Sequence, residues 1–173
     1  MRVGSALAAT SRGVALAEQW AAVLALVVMT TAVAMQIIWR FVLSAPLAWT
    51  EELARLAMVW LVFLVVGWAI GNRTHIAADF LVQALPPRVQ LWVEALTLLA
   101  VAAFSALLLV VGTRLVILQS VAANTPLGLP RSVFSLQVPV SALFVLVHAA
   151  DLLCRCREKL RALPPGPAAG APA

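Results

Sequence analysis

The chain has 173 residues, of which 64% are hydrophobic and 11% are charged, with a net charge of +5 and a mean hydropathy of +1.02. An ordinary globular domain has about a quarter of its residues charged, so this composition excludes a soluble fold. Four uncharged runs occupy residues 20–39, 56–72, 95–113 and 132–150. Each has about the 17 to 25 residues needed to cross a hydrocarbon core about 30 Å thick. The sequence therefore predicts an all-α integral membrane protein with four transmembrane helices.

The first predicted helix covers residues 20–41 and follows a short N-terminal segment, residues 1–18, that we assign to the cytoplasm. Trp20 and Trp39 bracket its uncharged run, and indoles favour the two headgroup layers of a bilayer. The run is too long for the core of a signal peptide and lacks a clear small-residue cleavage site, so we expect it to be retained. Pro46 ends this helix or starts a new one, which leaves room for a short interfacial helix between helices 1 and 2.

A charged cluster, residues 49–55, lies just ahead of the second uncharged run. Thr50 is predicted to cap the next helix, and Glu51 and Glu52 then lie in its first turn, where the helix dipole favours negative charge. Arg55 follows these glutamates by four and three residues, so it can pair with either carboxylate. An ion pair in a wet interface contributes about 0 to 1 kcal/mol, too little to explain the cluster by stability alone.

Two interpretations of the charged cluster remain open at this stage. It either anchors the helix in the headgroup layer or, together with Arg40 and Trp49, contacts a partner subunit. The second helix itself is predicted over residues 53–71. Within it, Gly67 and Gly71 have the small-xxx-small spacing that permits close helix contact in lipid.

The third and fourth helices are predicted over residues 89–118 and 133–153. The third has thirty residues, about 45 Å at helical rise, so it must tilt or extend into the headgroups. Pro139 removes one backbone donor near the start of the fourth helix and predicts a bend there. The tail, residues 154–173, is first basic and then rich in Pro and Ala, and we expect it to be disordered and cytoplasmic.

Orientation follows from the distribution of Lys and Arg over the two sides of the membrane. With four spans, both termini and the loop between helices 2 and 3 share one side, and that side carries eight of the twelve basic residues. By the positive-inside rule this side is the cytoplasm, so the chain is predicted to be N-in and C-in. The positive net charge then reflects topology and anionic lipid headgroups, and it gives no reason to expect nucleic acid as a partner.

Several residues, taken in order along the four spans, resemble the small membrane subunit of tripartite ATP-independent periplasmic (TRAP) transporters, the DctQ-like family. The resemblance covers about residues 20–153 and rests on Arg40, Trp49, Glu51, Glu52, Leu53, Ala54, Arg55, Trp60, Gly67, His75, Asp79, the segment from Thr125 to Pro130 with Pro126 and Gly128, and Pro139. Arg131 to Phe134 departs from the family, in which aromatic residues are common after the last proline of that segment.

The resemblance implies a subunit of the bacterial inner membrane that braces a large permease subunit. In this family the large subunit carries the substrate and sodium sites, and a periplasmic binding protein delivers an organic acid. It implies no catalytic, substrate-binding or metal-binding residue and no cofactor in this chain. The partner-contact candidates are Arg40, Trp49, Glu51, Glu52, Arg55, His75, Asp79, Pro126, Gly128 and Pro130.

The residues themselves agree with a support role, because we find no carboxylate, Asn or helix break near the centre of any predicted span. A coupling-ion site would need such groups. A scaffold or assembly subunit of another membrane complex is the main alternative. A small antiporter would need an acidic residue within the membrane, for which Glu94 is the only candidate, and a haem carrier would need His75 and His148 as axial ligands. Cys154 and Cys156 lie on the reducing side, which disfavours a disulfide, and two thiols make a poor zinc site.

Overall fold

The computed structural model describes residues 2–45, 47–72, 86–121, 125 and 128–162, and these contain helices and turns but no strand. The helices are α1 (Arg2–Phe41), α2 (Ala48–Gly71), α3 (Pro87–Gln119), α4 (Ser132–Ser135) and α5 (Gln137–Ala162). Within the described residues, four stretches are long and apolar enough to cross a membrane, α4 and α5 together forming the fourth. The predicted all-α architecture with four spans is therefore confirmed.

Helices α1 and α2 begin earlier than the uncharged runs suggest. Helix α1 begins at Arg2 and is 40 residues long, about 60 Å at 1.5 Å per residue, so it extends well beyond a bilayer core. Helix α2 begins at Ala48, and its N-cap residue is Leu47. Thr50 lies inside the first turn, where its hydroxyl donates to the Leu47 carbonyl at 2.7 Å. The prediction that Thr50 caps this helix was wrong, and residues 42–45 and 47 form no separate interfacial helix.

The fourth span is interrupted close to the predicted bend. Helix α4 ends at Ser135, Leu136 forms a turn, and α5 starts at Gln137, so Pro139 lies in the first turn of the new helix. Proline has no N–H to donate to the carbonyl four residues earlier, which is that of Ser135, and its ring crowds the same carbonyl. Proline is tolerated in a first turn because the N–H groups there have no partner within the helix.

Helix α5 is the centre of the bundle. Helix α1 packs on α2 and α3 packs on α5, while α5 also contacts both α1 and α2. In its most apolar stretch 39% of the residues are buried, against 11% to 17% in the other three spans. The antiparallel order places the start of α1, the end of α2 and the end of α5 together, and we call this the termini end. The loop end is the opposite one, with the end of α1, the start of α2 and the start of α5.

Candidate functional site

The charged cluster lies at the loop end with its ion pair in the open. Arg55 Nη2 lies 2.9 Å from Glu51 Oε1, and the two side chains are 63% and 60% exposed. The prediction that Arg55 pairs with a carboxylate one turn earlier is confirmed for Glu51. Because both partners are exposed, the pair contributes at most about 1 kcal/mol to the stability of the chain. Its charges remain accessible to another molecule.

Arg40 and Trp49 also lie at the loop end. Arg40 is exposed at the end of α1, with its guanidinium carbon 5.7 Å from the centroid of the Phe41 ring, within range of a cation–π contact. Trp49 is 39% exposed. It lines an open apolar groove of about 210 Å³ together with Val27, Val28, Thr31, Ala32, Met35 and Leu53. The loop end thus presents exposed charges beside an apolar groove.

Gly128 and Pro130 lie between α3 and α4, also at the loop end. Gly128 has a φ of +75°, a backbone conformation that favours glycine, and its N–H donates to the Thr125 carbonyl at 2.8 Å. The Pro130 carbonyl accepts the N–H of Val133 at 3.1 Å. Both residues therefore shape the turn that leads into α4. The other candidates, His75, Asp79 and Pro126, lie outside the described residues.

The termini end contains a chain of hydrogen-bonded side chains that joins α1 to α5. His148 Nε2 lies 2.9 Å from Glu18 Oε2, and His148 Nδ1 lies 2.8 Å from Ser11 Oγ. The Glu18 and His148 side chains are 0% exposed, and Ser11 is buried as well. We call Ser11, His148 and Glu18 the polar chain. No other set of the hydrogen bonds described above joins three buried polar side chains.

Two glycines of α2 make room for the polar chain. A Cβ added to Gly67 would lie 2.0 Å from Glu18 Oε1, and one added to Gly71 would lie 2.9 Å from Cε1 and Nδ1 of His148. The spacing of these glycines predicts a close helix contact. The structure shows that the space they leave is occupied by polar side chains of α1 and α5. Three helices therefore meet at the polar chain.

Sequence reasoning did not identify the polar chain. It started the first helix at residue 20, which left Ser11 and Glu18 in a segment outside the bundle, whereas α1 is helical from Arg2. Ser11 and Glu18 are seven residues apart, so a helix continued through them places both on one face. The two polar residues on that face and the two glycines of α2 are the sequence features that could have indicated the contact between α1 and α2.

Further contacts secure the termini end without forming a metal site. The Asp151 carboxylate is nearly buried and accepts a hydrogen bond from Arg155 at 2.7 Å, and the Cys156 thiol donates to the Leu91 carbonyl at 3.3 Å. Cys154 is exposed, and neither cysteine forms a disulfide in the described part of the chain. No group of three or more His, Cys, Asp or Glu placed to hold a metal ion occurs in the part of the chain that the structure describes.

Comparison with known proteins identifies the family to which this four-helix bundle belongs. The model of the family described as "Tripartite ATP-independent periplasmic transporters, DctQ component" matches residues 29–159, which are 131 of the 173 residues. This chain belongs to the DctQ family. The match includes the last part of the first span, all of the second and third, and nearly all of the fourth. The DctQ resemblance noted in the sequence is therefore confirmed, and the chain is a multi-pass membrane component of a transporter family.

Two curated relatives share shorter stretches with this DctQ protein. The sialic acid TRAP transporter permease protein SiaT of Haemophilus influenzae is 36% identical over 55 residues. The isethionate TRAP transporter permease protein DctMQ of Oleidesulfovibrio alaskensis is 43% identical over 47 residues. These stretches cover 32% and 27% of this chain but only 9% and 7% of the relatives. The similarity therefore concerns a small part of much longer permease proteins.

Proposed function

We propose that this chain is the small permease subunit of a TRAP transporter of the bacterial inner membrane. In this role it braces the large permease subunit during sodium-coupled uptake of an organic acid, which a periplasmic binding protein delivers. The observation that carries the proposal is the DctQ match over residues 29–159, from the last part of the first span into the fourth. The relatives named as TRAP transporter permeases support the same assignment.

The geometry of the described residues favours bracing over transport by this chain itself. Helices α1, α2 and α3 run without interruption, and the break in the fourth span lies near its loop end, at Leu136. Secondary transporters bind substrate and ions near the bilayer midplane, where helices are discontinuous. The buried ionisable groups Glu18 and His148 are bonded to each other and are closed off from solvent. A rigid bundle of this kind suits a supporting subunit.

The loop end is the proposed contact surface. It combines the exposed Glu51–Arg55 pair with the apolar groove beside Trp49, and protein interfaces typically surround an apolar centre with a polar rim. With both termini in the cytoplasm, this end faces the periplasm, within reach of the large subunit and of the binding protein. Charges on such a rim act mainly on association rate and on the choice of partner.

Exchanging the two charges of the Glu51–Arg55 pair distinguishes contact with a partner subunit from anchoring of the helix in the headgroup layer. In the single variant Arg55→Glu the ion pair is lost. In the double variant Glu51→Arg with Arg55→Glu the pair within the helix is restored with its polarity reversed. If the cluster only anchors the helix, the double variant recovers, because the reversed pair still forms and a positive charge in the first turn costs only about 0.3 to 1 kcal/mol.

The measurement is copurification of the large subunit with this chain from native membranes, followed by uptake in the same cells. We expect both variants to insert normally and to lose copurification and uptake, because a partner surface senses the sign of each charge. Recovery by the double variant would assign the cluster to anchoring. Failure of the wild-type chain to copurify any TRAP permease would overturn the proposed function itself.

A further inference from the structure

The polar chain carries an inference that does not depend on the transporter assignment. Its members are closed to solvent. Ser11 Oγ lies 2.8 Å from His148 Nδ1, and His148 Nε2 lies 2.9 Å from Glu18 Oε2. The second carboxyl oxygen, Glu18 Oε1, is buried and has no hydrogen-bond partner among the residues that the structure describes. It points at Gly67, where no side chain can meet it.

The charge of the Glu18–His148 pair depends on how many protons it binds beyond those of a carboxylate and a neutral imidazole. With none, the pair has a charge of −1, with one it is neutral overall, and with two it has a charge of +1. An uncompensated charge in a water-free site is costly, whereas a neutral pair avoids that cost.

Among the described residues, no further charged side chain is paired with Glu18 or His148. On α1, Arg12 is exposed and its Nε donates to the Ala8 carbonyl. On α2, no titratable side chain lies between Arg55 and the end of the helix. On α5, the nearest carboxylate in sequence is that of Asp151, which is bonded to Arg155. Helix α3, which packs on α5, carries Arg88 and Glu94 near the same end.

The unpartnered Oε1 points to a bound proton as well. An ionised carboxylate has about four acceptor positions and normally fills several of them, whereas a protonated one has a single hydroxyl donor and an ordinary carbonyl oxygen. With a proton between Oε2 and Nε2, the carboxyl bonds to the imidazole through that proton. If the proton lies on Oε2, the other oxygen is a carbonyl oxygen with little charge; if it lies on Nε2, the adjacent imidazolium offsets the carboxylate charge.

We propose that Glu18 and His148 form a proton-binding site that holds one proton between Glu18 Oε2 and His148 Nε2. The proton keeps the pair neutral where α1, α2 and α5 meet. Ser11 completes the site by fixing the other imidazole nitrogen. The ligand is a single proton taken from water, so binding makes one O–H or N–H bond and breaks one in hydronium.

The test counts the protons on the wild-type chain in lipid nanodiscs at pH about 8, where an exposed Glu and His would be a carboxylate and a neutral imidazole. Nitrogen-15 NMR on histidine-labelled protein reports the protonation of His148. The chain has two histidines, and the variant His75→Gln assigns the signals. Infrared spectroscopy reports a protonated carboxyl by its carbonyl band, which must disappear in Glu18→Gln and persist in the control Glu51→Gln, an exposed glutamate.

The expected result is one proton in total. It appears either as a protonated Glu18 with a neutral His148 or as a cationic His148 with an ionised Glu18, and both support the site. A neutral His148 with an ionised Glu18 would overturn the proposal, as would a cationic His148 with a protonated Glu18. The decision rests on the wild-type spectra, with variants used only to assign signals, so it stands even if Glu18→Gln folds poorly.

Discussion

Replacing Gly67 by Ala tests whether the polar chain holds the bundle together. The added Cβ would lie 2.0 Å from Glu18 Oε1 and 3.0 Å from Glu18 Cδ, far inside van der Waals contact. The carboxyl group must therefore move away from α2. Since Glu18 is fully buried and bonded to His148 at 2.9 Å, it cannot move without stretching or breaking that bond.

The size of the effect follows from the bond that is lost. A hydrogen bond involving a charged or shared-proton group contributes about 1.5 to 3 kcal/mol to stability. Against this, Ala is better than Gly within a helix by about 1 kcal/mol. The control Gly13→Ala makes the same exchange on α1, where nothing lies within 4 Å of the new Cβ. The helix-propensity gain is common to both variants, so their difference isolates the clash at about 1.5 to 3 kcal/mol.

The assay is reversible unfolding of the purified chain in mixed micelles, with rising SDS, followed by far-UV circular dichroism. We expect Gly67→Ala to have an unfolding constant roughly 10 to 150 times larger than that of Gly13→Ala, at 1.4 kcal/mol per factor of ten. If the two variants unfold at the same SDS fraction, Glu18 does not occupy the space beside Gly67, and the contact between α1 and α2 at the polar chain must be rejected.

Three other predictions follow from contacts of the same kind or from the loop end. Gly71→Ala should lower stability by about 1 to 3 kcal/mol in the same unfolding assay, because its Cβ would lie 2.9 Å from the buried His148 ring. Gly112→Ala should have a similar effect, since its Cβ would lie 3.0 Å from Pro139 Cδ; unchanged unfolding would disprove that packing of α3 on α5. Glu52→Arg should lower the amount of large subunit that copurifies with this chain about tenfold, which corresponds to about 1.4 kcal/mol of binding free energy, while the variant still inserts into the membrane. If the same amount of large subunit copurifies as with the wild-type chain, Glu52 serves only to anchor the helix.

The four spans could be predicted because the bilayer imposes a length and an apolar composition on each one. The third helix was predicted over residues 89–118, beyond the charges that flank its uncharged run, and this range lies within two residues of the observed bounds of α3, Pro87–Gln119. The pairing of Glu51 with Arg55 was also predictable, since it depends only on helical spacing. In each case the information is local in the sequence.

The polar chain could not be predicted in the same way because its members are far apart along the chain. Glu18 and His148 are separated by 130 residues, and Ser11 and His148 by 137. Glu18 also lies two residues before the uncharged run, so its charge suggested that the helix begins after it. In the structure Glu18 lies within α1, and its side chain is buried in the bundle. Spacing within one helix gives the face of a residue but does not say which helix covers that face.

The buried polar side chains of α5 explain why this helix is central. Gln137, Ser141, His148 and Asp151 recur at helical spacing on one face, and all four are buried. Between helices in lipid the hydrophobic effect supplies little attraction, so association depends on close packing, small residues and hydrogen bonds. A helix with a polar face must turn that face toward protein, since lipid offers it no partners. Helix α5 therefore takes the interior, and α1 and α2 meet it with Ser11, Glu18 and two glycines.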